Sequence, residues 1–201
     1  MMPLLALAIA YLLGAIPFGY LLVKLRTGTD VRASGSGNIG ATNVLRTTGI
    51  ATGIATLVLD IAKGYIAVWI AGLLSGNNPL WMSAAALAVM AGHAYPIFLG
   101  FRGGKAVASF IGAFLRLTPV PMIASLVVLV AVVAWSRQIS LGSIVAAGTF
   151  PLAVWLILQP SIYVIGAALI AGIFVILRHK TNIRRLRDGS ERTLSWGKQR
   201  S

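Results

Sequence analysis

Cysteine is missing from the chain, and acid nearly so: four Asp and Glu stand against 17 Lys and Arg. The first absence excludes disulfides, thiol catalysis and thiolate metal sites. The second, together with only two His, leaves little material for a metal site and no carboxylate cluster to hold Mg²⁺. Charge of any kind is scarce, at 10 % of residues, while 58 % are hydrophobic, so the solvent for most of this chain is lipid. A formal net charge of +13 can signal nucleic acid. Beside long apolar runs it points instead to anionic lipid heads, cytosolic loops or anionic substrates, with no nucleic acid and no cofactor.

The apolar runs lie near residues 3–23, 50–74, 80–99, 106–117, 121–135, 141–158 and 161–177. At 1.5 Å per residue about 20 residues cross a core of roughly 30 Å, so the fourth and fifth runs are short. The N-terminus has no basic leader and its run is too long for a cleaved signal, so it reads as a retained first membrane helix. Basic residues fall in alternate loops. Lys24, Arg26, Arg32 and Arg46 follow the first run, Arg102 and Lys105 the third, Arg137 the fifth, and the series from Arg178 to Arg200 the last. The opposite loops, 75–79 and 159–160, carry no charge, and Arg116 stands alone there. The expected fold is therefore an all-α integral membrane protein of seven transmembrane helices, two of them short. Its N-terminus is outside and its C-terminus cytosolic. If runs four and five are a re-entrant pair, the number is five. Residues 1–201 form a single domain, with polar loops at 33–46, 92–108, 136–143 and 178–191 gathered on the cytosolic face.

Those loops carry the chemistry. "SGSGNIGATN" (34–43) alternates glycine with side-chain donors and is followed by Arg46. Glycine allows close backbone approach, and successive N–H groups can converge on an anion. The bland reading is a flexible linker, which leaves the alternation and the arginine unexplained. "GHAYPIFLGFRGGKAVA" (92–108) sets His93, Gly103-Gly104 and Lys105 beside the start of an apolar helix. Alone, a helix-end His bonds a carbonyl and a lone Lys anchors at the interface; together they favour a site. "SRQISLGS" (136–143) offers Ser140 and Ser143. "RHKTNIRRLRDGSE" (178–191) spaces His179, Asn182 and Arg185 by three, on one helix face. Arg184, Arg187, Lys198 and Arg200 read as a lipid-gripping tail. Asp60 and Lys63, at i and i+3 inside the second run, are paired because either alone would be costly there. The pair reads as architectural.

Several chemistries are excluded by pattern. The loop lacks the lysine of a Walker motif. His93 is followed by "AYPIFLG", without the aspartate of the H-x-x-x-x-D acyltransferases. The Asp-rich pattern of CDP-alcohol transferases and a G-x-S-x-G elbow are also missing. Donors and cations must do the work.

"SGSGNIGATNVLR", "GHAYPIFLGFRGGKAVA" and "RHKTNIRRLRDGSE" resemble the three cytosolic motifs of the bacterial acyl-phosphate:glycerol-3-phosphate acyltransferase family, PlsY. The resemblance covers essentially the whole chain. It implies a multi-pass enzyme of the bacterial inner membrane, with its active site facing the cytosol and membrane lipid around it. Such an enzyme transfers a fatty acyl group from acyl phosphate to the 1-hydroxyl of sn-glycerol 3-phosphate, without acyl-CoA or acyl carrier protein. It implies that Ser36, Gly37, Asn38, Gly40, Thr42 and Asn43 hold the acyl-phosphate head. Arg46, Lys105, Ser143, His179 and Asn182 hold glycerol 3-phosphate, Ser36, His93 and Lys105 are catalytic, and Arg185 and Glu191 are structural. No metal is implied, and a monomer is expected.

An acyl phosphate is an activated anhydride, so positioning and electrostatic stabilisation suffice without a covalent intermediate. His93 and His179 have suitable ordinary pKa values for a base, but surrounding cations would depress them, so a substrate phosphate oxygen is the expected proton acceptor. Two other classes remain in view. An anion transporter would place its site at the midplane of pseudo-symmetric halves, whereas here the motifs share one face. A lipid-binding structural protein leaves the glycine-serine-asparagine loop without a purpose.

Overall fold

A computed structural model describes residues 1–194; Lys198 and Arg200 lie outside the described residues. Ten α-helices follow one another: α1 (Met2–Ala15), α2 (Phe18–Thr27), α3 (Ala41–Thr48), α4 (Ile50–Ser75), α5 (Pro79–Ala94), α6 (Val107–Leu117), α7 (Pro119–Ser136), α8 (Ile139–Ile157), α9 (Ile162–Arg178) and α10 (Lys180–Arg187). Five stretches are long and apolar enough to cross a membrane: 2–27, 50–75, 79–99, 119–136 and 139–157. There are six if α9 and α10, bent by 59°, are taken together.

Two expectations change. Of the two helices expected to be short, only α6 is. Its 11 residues reach roughly 16 Å, about half the hydrocarbon core. The other begins earlier than its apolar run: Pro119 starts α7, where a proline's missing N–H is no loss, and the helix reaches 18 residues. The first apolar run is two helices. Ile16, forced out of helical geometry by Pro17, is extended and ends α1. Lys63 Nζ donates to the Ile16 carbonyl at 2.8 Å across this break. The same ammonium lies 2.8 Å from Asp60, both side chains being buried in α4.

Backbones approach closely through glycine. A Cβ on Gly14 of α1 would fall 2.1 Å from the Val89 carbonyl of α5, and one on Gly92 of α5 would fall 2.1 Å from the Tyr11 carbonyl of α1. Gly64 and Gly112 make the same reciprocal contact between α4 and α6. Small residues at helix crossings are how membrane helices pack without a hydrophobic force between them. Phe110, Phe114 and Phe150 fill the core where α6 meets α8, as edge-on or tilted rings 4.8–5.1 Å apart.

At one end of the bundle the chain leaves regular helix. Loop 28–40 packs on α2, where a Cβ on Gly19 would strike the Ile39 carbonyl at 1.9 Å. A small second core of Val23, Val31, Ile39 and Val44 lies beneath it. After α5 the chain turns through a short 3-10 turn at 97–99 and doubles back. Gly103 N–H donates to the Ala94 carbonyl and Gly104 N–H to the His93 carbonyl, which lays residues 103–105 along the end of α5.

Candidate functional site

Asn43 builds the glycine loop. Its amide nitrogen donates to the carbonyls of Val31 (3.2 Å), Ser34 (3.1 Å) and Asn38 (2.8 Å). Its oxygen accepts from Ser36 N–H at 2.7 Å. Asn38 accepts from Gly40 N–H at 2.8 Å, an Asx turn that leads into α3. The loop's shape therefore comes from side-chain amides bonding backbone, with glycine at 35 and 37 supplying positive φ of 61° and 69°. Asn43 is thus a buried buttress whose amide is taken up by the loop's own backbone. The backbone cradle is not open at Ser36, Gly37 and Gly40, whose N–H groups bond Asn43, Ser34 and Asn38. The Ser36 hydroxyl is exposed, Thr42 and Arg46 are half-buried on α3, and among the described residues none of these three side chains bonds elsewhere.

Lys105 faces this loop. Its ammonium donates to the Asn182 side-chain oxygen Oδ1, and the Asn182 side-chain nitrogen Nδ2 donates to Glu191 at 2.7 Å. Glu191 also accepts from Ser140 at 2.8 Å and from Arg185 at 2.8 Å. One carboxylate thus ties together α8, α10 and the tail that follows. Burial alone would raise Glu191, but the bonds from Arg185, Ser140 and Asn182 outweigh it and hold its carboxyl below the usual range. Burial is also the main reason Lys105 falls to about 8; Glu191 opposes this, while Arg185, Arg46 and Arg178 reinforce it. His179 is held at about 4, by burial first and then by Lys105. Its Nδ1 lies 2.8 Å from the Val175 carbonyl, so Nδ1 carries the proton and Nε2 the lone pair.

Ser36, Asn38, Lys105, Leu177, Arg178, Lys180, Thr181 and Arg185 line a cavity of about 270 Å³. Its three walls are the glycine loop, the 103–105 segment and the α9–α10 junction. His179, Asn182 and Ser143 are buried, and Ser143 donates to its own helix at the Ile139 carbonyl, 2.8 Å away. Arg46 lies near Glu191, Arg185 and Arg192 and is pushed down by burial, then by Arg192.

His93 is placed elsewhere. It is 3 % exposed, and its ring lies under Gly104 with Nδ1 3.6 Å from Asp60. A Cβ on Gly104 would come 2.1 Å from the ring's Nε2. The sequence points to His93 as catalytic; the 103–105 segment covers it, and its neighbours are the Asp60–Lys63 pair. It positions residues 103–105.

This assembly can gather two anionic heads beside one lysine at the edge of an apolar bundle. The family profile described as glycerol-3-phosphate acyltransferase matches residues 4–189. The chain belongs to the glycerol-3-phosphate acyltransferase family. The glycerol-3-phosphate acyltransferase of Geobacter sulfurreducens is 48 % identical over 92 % of this chain and 93 % of its own. That of Desulforamulus reducens is 46 % identical over 90 % of each. The crystal structure of PlsY (YgiH), an integral membrane glycerol 3-phosphate acyltransferase, in its glycerol 3-phosphate form, superposes with a TM-score of 0.92. It is 37 % identical, covering 97 % of this chain and 96 % of that one. Its lysophosphatidic acid form gives 0.89 at 36 % identity, with the same coverage.

Sequence reasoning undervalued two residues of this acyltransferase. Arg178 reads as one basic residue of the tail, yet its Nε and Nη2 donate to the Gly104 carbonyl at 3.2 and 2.9 Å and its guanidinium lies 4.9 Å from the Tyr95 ring centroid. It clamps the segment carrying Lys105 to α9. Its place immediately before His179 is the only available signal. Arg192 donates to the Gly35 carbonyl at 3.3 Å, joining the tail to the glycine loop.

Proposed function

We propose that the enzyme transfers a fatty acyl group from an acyl phosphate to the 1-hydroxyl of sn-glycerol 3-phosphate, giving lysophosphatidate and phosphate. The observation that carries this is Lys105: a cation held by Asn182, itself bonded to Glu191, in a cavity also lined by Ser36 and Asn38. Arg46 and Lys105, with His179, Asn182 and Ser143, bind glycerol 3-phosphate. Ser36, Gly37, Asn38, Gly40 and Thr42 face the acyl-phosphate head. The acyl chain lies among the apolar helices.

The hydroxyl oxygen attacks the acyl carbon, the bond from that carbon to the bridging phosphate oxygen breaks, and phosphate leaves with the hydroxyl proton. A phosphate oxygen takes that proton. The proposal is supported by a buried, covered His93 and by a His179 at about 4, too weak a base at neutral pH. Lys105 and Ser36 stabilise charge on the departing phosphate. No covalent enzyme intermediate forms and no metal takes part. Asp30, Asp60 and Glu191 are each committed to a cation, Arg32, Lys63 and Arg185 respectively.

In the proposed topology the chain crosses seven times, with α1–α2 as one crossing and the short α6 as another. The N-terminus is outside and the site faces the cytosol of a bacterial inner membrane, a reading supported by the basic alternate loops. The purified enzyme in detergent, given palmitoyl phosphate and glycerol 3-phosphate with EDTA, is expected to make 1-palmitoyl lysophosphatidate, detected by mass spectrometry. Palmitoyl-CoA in place of palmitoyl phosphate gives none. Equal product from palmitoyl-CoA overturns the donor assignment.

A further inference from the structure

A second cavity, of about 500 Å³, lies beside the first and shares Arg178 as a wall. Its other lining residues are Arg32, Gly37, Phe101, Arg102 and Gly103. None of its three arginines is required by the acyl-transfer chemistry described above. Two are fixed in place. Arg32 is ion-paired with Asp30 at 2.7 Å and lies 5.4 Å from the Tyr20 ring centroid. Arg178 is bonded to Gly104 and stacked on Tyr95. In both, Nε and Nη2 are engaged within the protein, and among the described residues Nη1 is not. Arg102 is exposed and adds a third charge. Against these three cations stands one acid, Asp30, which leaves an excess of two positive charges.

The rim beside them is apolar. Phe101 is 57 % exposed, Phe98 61 % and Ile97 51 %. Phe101 is held at φ 63°, a left-handed geometry in which a bulky side chain is an outlier. Such strain is kept where the surrounding structure over-determines it, as at ligand clamps. Free inorganic phosphate would satisfy the arginines and have no use for this rim. A charge of −2 on an apolar chain satisfies both, because pre-oriented guanidiniums match phosphate oxygens and aromatic rings accept the first methylenes.

We infer that this cavity is a staging site for the phosphomonoester head of a single-chain amphiphile, next to the reaction cavity and distinct from it. The inference rests on the acyl transfer proposed above. The incoming acyl phosphate and the departing lysophosphatidate share the required chemistry. Arg178, which lines both cavities, marks the passage between them.

Arg102 tests this, since it lines only the second cavity and is exposed. In steady-state assays with palmitoyl phosphate and glycerol 3-phosphate, Arg102→Glu is expected to raise the KM for palmitoyl phosphate about tenfold, the loss of one charge-assisted hydrogen bond. The KM for glycerol 3-phosphate and the saturated kcat stay unchanged, and Arg102→Lys restores most of the loss. Equilibrium binding of lysophosphatidate to the purified protein gives a readout independent of turnover, and it weakens in Arg102→Glu. Palmitoyl phosphate KM raised with lysophosphatidate binding intact assigns the site to entry; the reverse assigns it to exit. Inhibition by inorganic phosphate is unchanged under either. An unchanged KM and unchanged lysophosphatidate binding in Arg102→Glu overturns the inference, as does an equal rise in both substrates' KM. If the unsubstituted enzyme fails to turn over, the proposed reaction is wrong, and the binding arm alone decides the staging site.

Discussion

Gly104→Ala is expected to disable the enzyme through His93. The added methyl would fall 2.1 Å from Nε2 and 2.9 Å from Cδ2 of the imidazole, where ordinary contact begins at 3.4 Å. Something must move by about 1.3 Å, the shortfall from 3.4 to 2.1 Å. The ring is buried against Asp60, so the 103–105 segment moves, and Lys105 is the next residue. A displacement of about 1 Å at a positioned group lowers turnover by about 10²-fold, and overpacking of this kind lowers stability by about 1–3 kcal/mol. His93→Ala removes the obstacle, so adding Gly104→Ala in that background lowers activity and Tm much less than it does alone. Gly103→Ala is the control. Its methyl would meet the His93 carbonyl at 2.2 Å and Pro96 Cδ at 2.4 Å, both of which survive His93→Ala. The assay is phosphate release with both substrates saturating, paired with thermal unfolding in detergent, analysed as a double-mutant cycle. Gly104→Ala at full activity and stability would refute this reasoning, as would His93→Ala relieving Gly103→Ala as well as it relieves Gly104→Ala.

Lys105 at about 8 in the free enzyme places the alkaline limb of kcat/KM for glycerol 3-phosphate near that pH, activity falling as pH rises and the ammonium is lost; Lys105→Arg moves the limb outward. The sign for stability is opposite: the folded pKa lies below the ordinary lysine value of 10.5, the unfolded chain binds the proton more tightly, and this group favours folding increasingly as pH rises from about 8 to 10.5. His179→Gln lowers turnover without a rescue by external imidazole; restoration by imidazole would make His179 the base after all. Asp60→Asn leaves Lys63 buried without its counter-charge and lowers unfolding stability by about 3–5 kcal/mol, read from denaturation in detergent. Because the chain has no cysteine, Gln159→Cys and Arg187→Cys report topology directly: an impermeant thiol reagent labels the first from outside intact cells and the second only after lysis.

Much of this was legible in the sequence because membrane physics is severe. Hydropathy marks the apolar stretches, and a buried Asp60 with Lys63 one turn away has one cheap arrangement, the ion pair seen at 2.8 Å. The three motif loops do meet: Ser36 and Asn38 from the first, Lys105 from the second and Arg185 from the third line one cavity. What was not legible depended on where backbone goes between helices. The break at Pro17 and the fold-back at Gly103 and Gly104 decide that Lys105 opens onto the cavity while His93 lies beneath it. In sequence both are polar residues of one motif, and only burial separates them. Asn43 misled in the same way. An asparagine in a glycine loop reads as a donor for a ligand until its amide is seen bonded to Val31, Ser34 and Asn38. Arg178, one cation among many, acquires its role from the Gly104 carbonyl, 74 residues away.

The most direct test of the central claim is phosphate release by the purified enzyme with palmitoyl phosphate and glycerol 3-phosphate, in EDTA, with and without Lys105→Ala. Release that requires both substrates, persists in EDTA and collapses in a folded Lys105→Ala protein is the expected result. Release that needs only the acyl phosphate, that stops in EDTA, or that survives Lys105→Ala would contradict an acyl transfer organised by Lys105.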